Sequence, residues 1–316
     1  MRTMTCILST KRSGHHAVIR WLYEGLGTST VFYNNINGRY AKSGEQTLFG
    51  RDGHHHTHAE KRSPSSKSDP GYHIAMNFEG KLPQTVAGIL GTLNTASGPA
   101  HFEQYIILRD PLNTLASCAR HFSPHTRVKN RIKFYEQALA LQDLIAEAQT
   151  PRHLKPDRLI AYNRWLCEDA YRRQLADTLS MVRTPELPAT VTHHGGGSSF
   201  SRNTLNDPQA LLSRWQAMAD DPLFLSVFLD AGCIQAFRAY ADLFGDTHAP
   251  DATTIDNLVT KARADTQATA LYRDWLAPLR TNRDKLAAVQ LAVGTPGYIP
   301  AKLRLRLAIR LARIRR

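Results

Sequence analysis

The sequence predicts an α/β protein with a central parallel sheet, flanking helices and a helical C-terminal extension. Short apolar runs alternate with helical patterns before residue 180, which is typical of right-handed βαβ units. The run at residues 105–108, YIIL, is apolar throughout, as a buried parallel strand should be. Beyond Asp207 the pattern is helical. We place the α/β domain at residues 1–248 and the helical extension at residues 249–316.

Local patterns define the individual elements. Residues 3–9 and 72–78 are short β-prone runs that we expect to form strands. We expect the apolar run at residues 105–108 to form a strand as well. Asp110 is suited to be the N-cap of the following helix, and Pro111 suits its first position. The other expected elements are helices at 14–26, 83–93, 111–119, 128–148 and 169–179 and a strand at 158–162.

The composition is that of a folded globular protein. Apolar residues make up 42% of the 316 residues and charged residues 21%, which argues against disorder. No run approaches the roughly 20 apolar residues that a membrane-spanning helix needs. The residues before Lys11 are too few for a secretory signal. The four cysteines lack CxxC spacing, which indicates reduced thiols. We therefore expect a cytoplasmic protein.

The net charge of +13 is concentrated at one end of the chain. Residues 302–316 hold seven positive charges and no acidic residue, and their leucines recur at helical spacing. Such a helix can lie on an anionic membrane surface, bind an acidic polymer, or pack on the domain with its charges outward. The first alternative would make the protein peripheral to a membrane. No recognition motif accompanies the charge, so we expect no nucleic-acid partner.

Residues 33–70 are polar, rich in Gly, Ser and His, and predict a mobile insertion. Within them, residues 53–58 read GHHHTH and offer imidazoles that can bind zinc, copper or nickel. Their polar, Pro- and Ser-rich surroundings cannot readily hold a fixed geometry, which favours a solvated loop over a metal site. This loop could cover a substrate site as a mobile lid.

The turn at residues 10–16 joins the first strand to the first helix. Ligands of a doubly wound sheet bind beyond the carboxyl ends of its strands, and a helix N-terminus there offers amides to phosphate or sulfate. Gly14 permits a tight turn, Lys11 and Arg12 add charge, and Ser13 adds a hydroxyl. The GxxxxGK[ST] and GxGxxG motifs do not fit. These residues alone leave open an anion site and an ordinary turn with a solvated basic pair.

Two segments resemble sulfotransferases that use 3′-phosphoadenosine 5′-phosphosulfate. The first, TKRSGHH at residues 10–16, is similar to the family's 5′-phosphosulfate loop, Lys/Arg-Ser-Gly-Thr-Thr followed by a helix bearing Trp-Leu. The second, YIILRDPLNTLAS at residues 105–117, is similar to the motif that binds the 3′-phosphate through an Arg and a Ser eight residues later. They occur in the family's order. His15 and His16 depart from the pattern by replacing the Thr pair.

This resemblance implies the P-loop-containing sulfotransferase fold and transfer of a sulfuryl group to a hydroxyl or amine acceptor. The acceptor stays open among glycans, peptide tyrosines, lipids and small molecules. Arg12 would stabilise the bridging oxygen of the leaving group. A later glycine-rich segment, residues 195–202, is similar to the loop that closes over the nucleotide, although a flexible connector is the alternative. The implied donor-binding residues are Lys11, Arg12, Ser13, Gly14, His15, His16, Arg109, Ser117, Gly197, Ser198, Ser199 and Arg202.

An acceptor hydroxyl also needs a general base. In the family the base follows the second strand, where this chain reads NFEGKLP, so Glu79 is the expected base. A surface Glu that caps the next helix is the alternative. The lesser candidates are His16, His73 and His101. We expect no metal in the reaction, because Arg12, Lys11 and the loop amides supply the positive field.

Two other functions stay open. A P-loop kinase-like enzyme would bind Mg²⁺ through a Ser or Thr directly after the loop Lys, and that residue is missing here. A non-catalytic protein could bind an anionic glycan or a membrane through residues 302–316.

Overall fold

The structure, a computed structural model, describes residues 2–26, 30–33, 48–49, 55–56, 73–80, 86–88, 90, 100–122, 128–149, 158–187 and 207–283. The strands in these ranges are β1 (Arg2–Ser9), β2 (Thr30–Tyr33), β3 (Leu48–Phe49), β4 (His55–His56), β5 (His73–Glu79), β6 (Ala100–Leu108) and β7 (Leu159–Ala161). They form one sheet in the order β4-β3-β2-β5-β1-β6-β7.

The sheet is parallel through its centre. Strands β2, β5, β1, β6 and β7 run in the same direction, whereas β3 and β4 pair antiparallel at the β2 edge. The predicted α/β class with a parallel sheet is therefore confirmed. The two antiparallel strands were not predicted, and they fall inside the expected insertion at residues 33–70. The middle strand, β1, buries Cys6, Ile7 and Leu8 completely, as strands covered on both faces do.

Helices surround the sheet and make up most of the described chain between residues 207 and 283. They are α1 (His15–Leu26), α2 (Pro111–Phe122), α3 (Val128–Gln149), α4 (Tyr162–Cys167), α5 (Asp169–Thr178), α6 (Pro208–Leu212), α7 (Pro222–Leu225), α8 (Ala231–Phe244), α9 (Ala252–Ala264) and α10 (Thr266–Leu271). Short 3₁₀ turns occupy Arg214–Met218 and Ser226–Leu229, and a π-helical segment occupies Tyr272–Leu276. The predicted helical character beyond Asp207 is confirmed as far as residue 283.

Local capping sets where α2 begins. The Asn113 amide donates to Asp110 Oδ1 at 2.8 Å, which confirms Asp110 as the predicted N-cap ahead of Pro111. The strand predicted at residues 158–162 ends earlier, because Tyr162 already belongs to α4. As the first residue of α4, Tyr162 lies at the carboxyl edge of the sheet, with its ring beside the turn after β1.

One core joins the sheet to the C-terminal helices. Trp21 of α1 and Trp165 of α4 are fully buried and meet edge to face at 6.2 Å between ring centroids. Ile255 and Leu276 belong to the same buried cluster. The boundary at residue 248 stays a prediction.

Among the described residues, no single helix is long and apolar enough to cross a bilayer. One consecutive pair, Pro222–Leu229 with Ala231–Phe244, reaches that length and composition only as two segments bent by 92°.

Candidate functional site

The turn after β1 lies at the carboxyl edge of the sheet, between two neighbouring strands. Ser9, the last residue of β1, is in register with Glu79 of β5 and Ile107 of β6. Glu79 therefore stands directly beside the turn, and Arg109 follows β6 at the same edge. The Gly80 amide donates to the Ser9 carbonyl at 2.6 Å, which ties the end of β5 to the start of the turn. The predicted site residues at the ends of β1, β5 and β6 thus lie at one edge of the sheet.

Residues 10–14, which we call the loop, contain two left-handed backbone positions. Arg12 has φ 67° and Gly14 has φ 76°. A non-glycine residue held there costs about 1–3 kcal/mol, and such strain concentrates at functional sites. Left-handed positions in a turn direct successive N–H groups toward one concavity, an arrangement that binds anions. The loop leads directly into α1, whose first amides have no intrahelical acceptor.

Gly14 is required by a close contact as well as by its φ. A Cβ added at Gly14 would lie 2.3 Å from Cε2 of Tyr162, whose side chain is buried. The aromatic ring thus packs against the glycine backbone. The guanidinium carbon of Arg109 lies 5.3 Å from the centroid of the same ring, within the range of a cation–π contact. Tyr162 therefore connects the loop with the Arg that follows β6.

Arg109 is almost completely buried beside a second arginine. Its Nη2 donates to the Leu211 carbonyl at 2.6 Å, and its Nε lies 3.9 Å from a carboxylate oxygen of Asp110. Arg214, in the 3₁₀ turn after α6, comes close enough for the two like charges to repel. Burial and the Arg109 charge together lower the pKa of Arg214 to about 10. An anion bound here would offset the repulsion between the two guanidiniums.

Helix α2 contacts the other side of the loop. Ser117 is buried on this helix, and the next residue, Cys118, places its Sγ 3.7 Å from the Lys11 carbonyl. Burial raises the pKa of the Cys118 thiol to about 12, so it stays protonated and is not a nucleophile. The Lys11 amide donates to Gln137 Oε1 of α3 at 3.0 Å. The loop is therefore held between α2, α3 and Tyr162.

Glu79 faces the first residue of α1. Its Oε1 lies 3.3 Å from His15 Nε2, a distance typical of an ion pair, but the two groups lack the alignment of a hydrogen bond. Burial alone would raise the pKa of Glu79, but His15, Lys11 and His16 outweigh it and lower that pKa to about 2. Glu79 is therefore a largely buried carboxylate that stays charged at neutral pH. Residues 81–85, where a helix capped by Glu79 would begin, lie outside the described residues.

Several buried polar atoms around the loop have no hydrogen-bond partner among the described residues. They include Thr10 Oγ1, His15 Nε2 and Arg109 Nε. A hydroxyl and a guanidinium can each donate, and leaving a buried donor unpaired costs about 1–3 kcal/mol. Whether His15 Nε2 donates or accepts depends on the tautomer of the ring. A bound oxyanion would supply the missing acceptors.

The structure brings together most of the predicted site residues. Lys11, Arg12, Ser13, Gly14, His15 and His16 lie in the loop or the first turn of α1, with Glu79, Arg109 and Ser117 around them. Outside the described residues are Gly197, Ser198, Ser199 and Arg202, along with the basic segment 302–316 and most of residues 53–58.

Sequence reasoning missed Tyr162 and Arg214. Tyr162 is the last residue of a predicted strand, so its position at the carboxyl edge of the sheet was available as a signal. Arg214 belongs to a helical region far along the chain, and its approach to Arg109 depends on tertiary packing alone.

No family model matches this chain, and no curated protein is significantly similar to it.

Proposed function

We propose that the chain is a sulfotransferase of the P-loop-containing fold that transfers a sulfuryl group from 3′-phosphoadenosine 5′-phosphosulfate to a hydroxyl or amine. The observation that carries this proposal is the presence of two cationic places at one sheet edge. The loop is one, and the Arg109–Arg214 pair is the other, with the Tyr162 ring between them. A donor that carries a 3′-phosphate and a 5′-phosphosulfate on its ribose needs two such cationic places.

The loop suits the 5′-phosphosulfate of the donor. It combines left-handed backbone positions, the start of α1 and the side chains of Lys11 and Arg12. Helix N-termini bind phosphate and sulfate through their amides and their dipole. The Arg109–Arg214 pair suits the 3′-phosphate, because a dianion would offset the repulsion between the guanidiniums. Charge-assisted bonds of this kind are shorter and stronger than neutral ones.

With a hydroxyl acceptor, the reaction exchanges one S–O bond for another. The acceptor oxygen forms a bond to sulfur as the bond from sulfur to the bridging oxygen of the 5′-phosphate breaks. Negative charge then develops on adenosine 3′,5′-bisphosphate, where Arg12 stabilises it. Losing one preorganised donor of this type typically costs about 10²–10³ in rate. The acceptor proton leaves to a base near the loop.

Glu79 and His15 together form the proposed proton acceptor. A carboxylate whose pKa is about 2 is by itself a weak base, since general bases work best when their pKa lies near the working pH. His15 Nε2 lies 3.3 Å away, so a proton delivered to this pair is shared between two coupled groups. The charge of Glu79 stabilises the imidazolium that results.

Thermal shift with three ligands tests the function. We expect adenosine 3′,5′-bisphosphate to raise the melting temperature more than adenosine 5′-monophosphate does, because only the first ligand reaches both cationic places. A ligand present at 100 times its Kd stabilises the folded protein by about 2.7 kcal/mol. ATP with Mg²⁺ should have a smaller effect. Stabilisation by ATP with Mg²⁺ alone would instead favour a kinase-like enzyme, and no response to any of the three would favour a non-catalytic protein.

A further inference from the structure

The first turn of α1 and the end of β5 bring three metal-ligand side chains together. These are His15, His16 and Glu79, which each offer one ligand atom within 4.8 Å of the other two. The imidazole rings lie 4.2 Å apart between centroids. His15 Nε2 and Glu79 Oε1 are 3.3 Å apart. Zinc bonds of about 2.0–2.1 Å arranged tetrahedrally separate neighbouring ligand atoms by about 3.3–3.4 Å, so this pair already has the required spacing.

A hydrogen bond fixes the orientation of the His15 ring. Ser13 Oγ lies 3.1 Å from Nδ1, and both groups are buried. With the proton on Nδ1 donated to the hydroxyl, the lone pair resides on Nε2, the nitrogen beside Glu79. Histidines that bind metals almost always donate their other ring N–H in this way. In this tautomer Nε2 is available to a metal ion.

A cation between His15 and Glu79 would bind both side chains when the ring proton of His15 is on Nδ1. A lone pair on Nε2 and a carboxylate oxygen are both electron-rich, and Nε2 has no hydrogen-bond partner among the described residues. The alternative tautomer would donate Nε2–H to Glu79, but the alignment of a hydrogen bond is missing. A metal ion would satisfy both atoms.

The donor set selects the kind of metal. Two imidazoles and one carboxylate suit zinc, cobalt, nickel or copper, whereas magnesium and calcium prefer oxygen ligands alone. Three protein ligands also leave a fourth position for water or an oxyanion, as in catalytic zinc sites. We propose that His15, His16 and Glu79 bind one divalent transition metal ion of the zinc type.

This binding stands independently of the proposed function. If the chain is a sulfotransferase, a metal bound to Glu79 would occupy the carboxylate that accepts the proton, and zinc would then inhibit the transfer. The sequence directs attention to the histidines at 53–58, whereas the structure assembles this separate set from two elements that are distant along the chain.

Calorimetric titration of the chelator-treated protein with Zn²⁺ alone tests the proposal. We expect His15→Gln, His16→Gln and Glu79→Gln each to lose one zinc equivalent relative to the wild-type chain. His248→Gln is the matched control, because its ring also faces a carboxylate, with Nε2 3.6 Å from Glu168 Oε1, but stands away from the loop. This control should keep the wild-type stoichiometry.

A second variant separates this site from the other histidines. A variant in which Asn replaces all four of His54, His55, His56 and His58 should still bind one equivalent of zinc. Adding His16→Gln to that variant should abolish this binding. His16 is only half-buried, so this variant is expected to fold, as circular dichroism can verify. Full zinc binding by all three site variants, or loss of all binding in the four-histidine variant, would overturn the proposal.

Discussion

At the scale of single residues, the site depends on positions that a side chain would disrupt. Gly14 combines a left-handed backbone with direct packing against the Tyr162 ring, which cannot move aside because it is buried. Arg12 adopts a left-handed conformation without the freedom of glycine. The strain at Arg12 is offset by the surrounding structure, and it places a full positive charge in the turn that the donor phosphosulfate is proposed to occupy.

Gly14→Ala should destabilise the protein. The left-handed backbone costs a non-glycine residue about 1–2 kcal/mol, and an extra methyl in packed surroundings costs about 1–3 kcal/mol more. Urea unfolding should therefore show a loss of about 2–5 kcal/mol. Gly88→Ala is the control, since a Cβ there meets nothing within 4 Å, and it should be neutral or stabilising by up to about 1 kcal/mol. Equal stabilities of the two variants would contradict the packing of Tyr162 on the loop.

Glu79→Gln should separate binding from chemistry. The amide keeps the shape of the side chain but carries no charge to stabilise a protonated His15. We expect the transfer rate to fall by about 10²–10⁴, the usual contribution of a general base, while the affinity for adenosine 3′,5′-bisphosphate stays within a few-fold. Mass spectrometry of an acceptor panel, which detects the gain of one sulfuryl group, measures the transfer. Wild-type turnover in Glu79→Gln would remove this residue from the reaction.

At the scale of elements, the end of α8 contains a titratable carboxyl group within the core. Gly245 closes the helix in a left-handed conformation, and Asp246 follows it, almost completely buried. Its Oδ1 accepts from the His248 amide at 3.0 Å, whereas its Oδ2 has no partner in the described part of the chain. Burial is the main reason why the pKa of Asp246 rises from 3.8 to about 6.

This raised pKa makes stability depend on pH. Between pH 3.8 and about 6 the folded protein keeps a proton on Asp246 that the unfolded chain has released, so stability falls as pH rises through this window. Asp246→Asn removes the charge and keeps the Oδ1 acceptor. We expect it to stabilise the protein at pH 7.5 by about 2–3 kcal/mol and to have little effect at pH 4, measured by urea unfolding. A constant difference between variant and wild type across this range would contradict the account, and Asp242→Asn, at an exposed position of the same helix, is the control.

At the scale of the whole molecule, local sequence patterns predicted the strands around the site. They did not predict the contacts between residues that are distant in the sequence. Strand β1, the Asp110 cap and the helical C-terminal region were found because each depends on neighbouring residues. The antiparallel edge at β3 and β4 was missed, since strands of two residues leave no periodic signal. The contacts of Tyr162 with Gly14 and of Arg214 with Arg109 join segments far apart in sequence, so only the folded chain brings them together.

The burial and the contacts of Arg109 bear on the role that was predicted for it. The resemblance implied that Arg109 and Ser117 together bind the 3′-phosphate. In the structure its guanidinium is buried, donates to the Leu211 carbonyl and packs on Tyr162, which leaves it partly structural. Arg214 is less buried and belongs to a different element, so it is the more accessible of the pair and the better residue to test.

Isothermal calorimetry with adenosine 3′,5′-bisphosphate and adenosine 5′-monophosphate tests the two-place site most directly. The wild-type chain should prefer the bisphosphate by about 10–100-fold, the contribution of hydrogen bonds to a charged group. Arg214→Ala should lower that preference by about tenfold and leave the affinity for the monophosphate unchanged. The monophosphate lacks the 3′-phosphate and the variant lacks the guanidinium proposed to bind it, so each change removes the same interaction. Arg238→Ala, on the exposed face of α8, should behave as wild type. Equal affinities of the wild-type chain for the two nucleotides would contradict the proposed donor site.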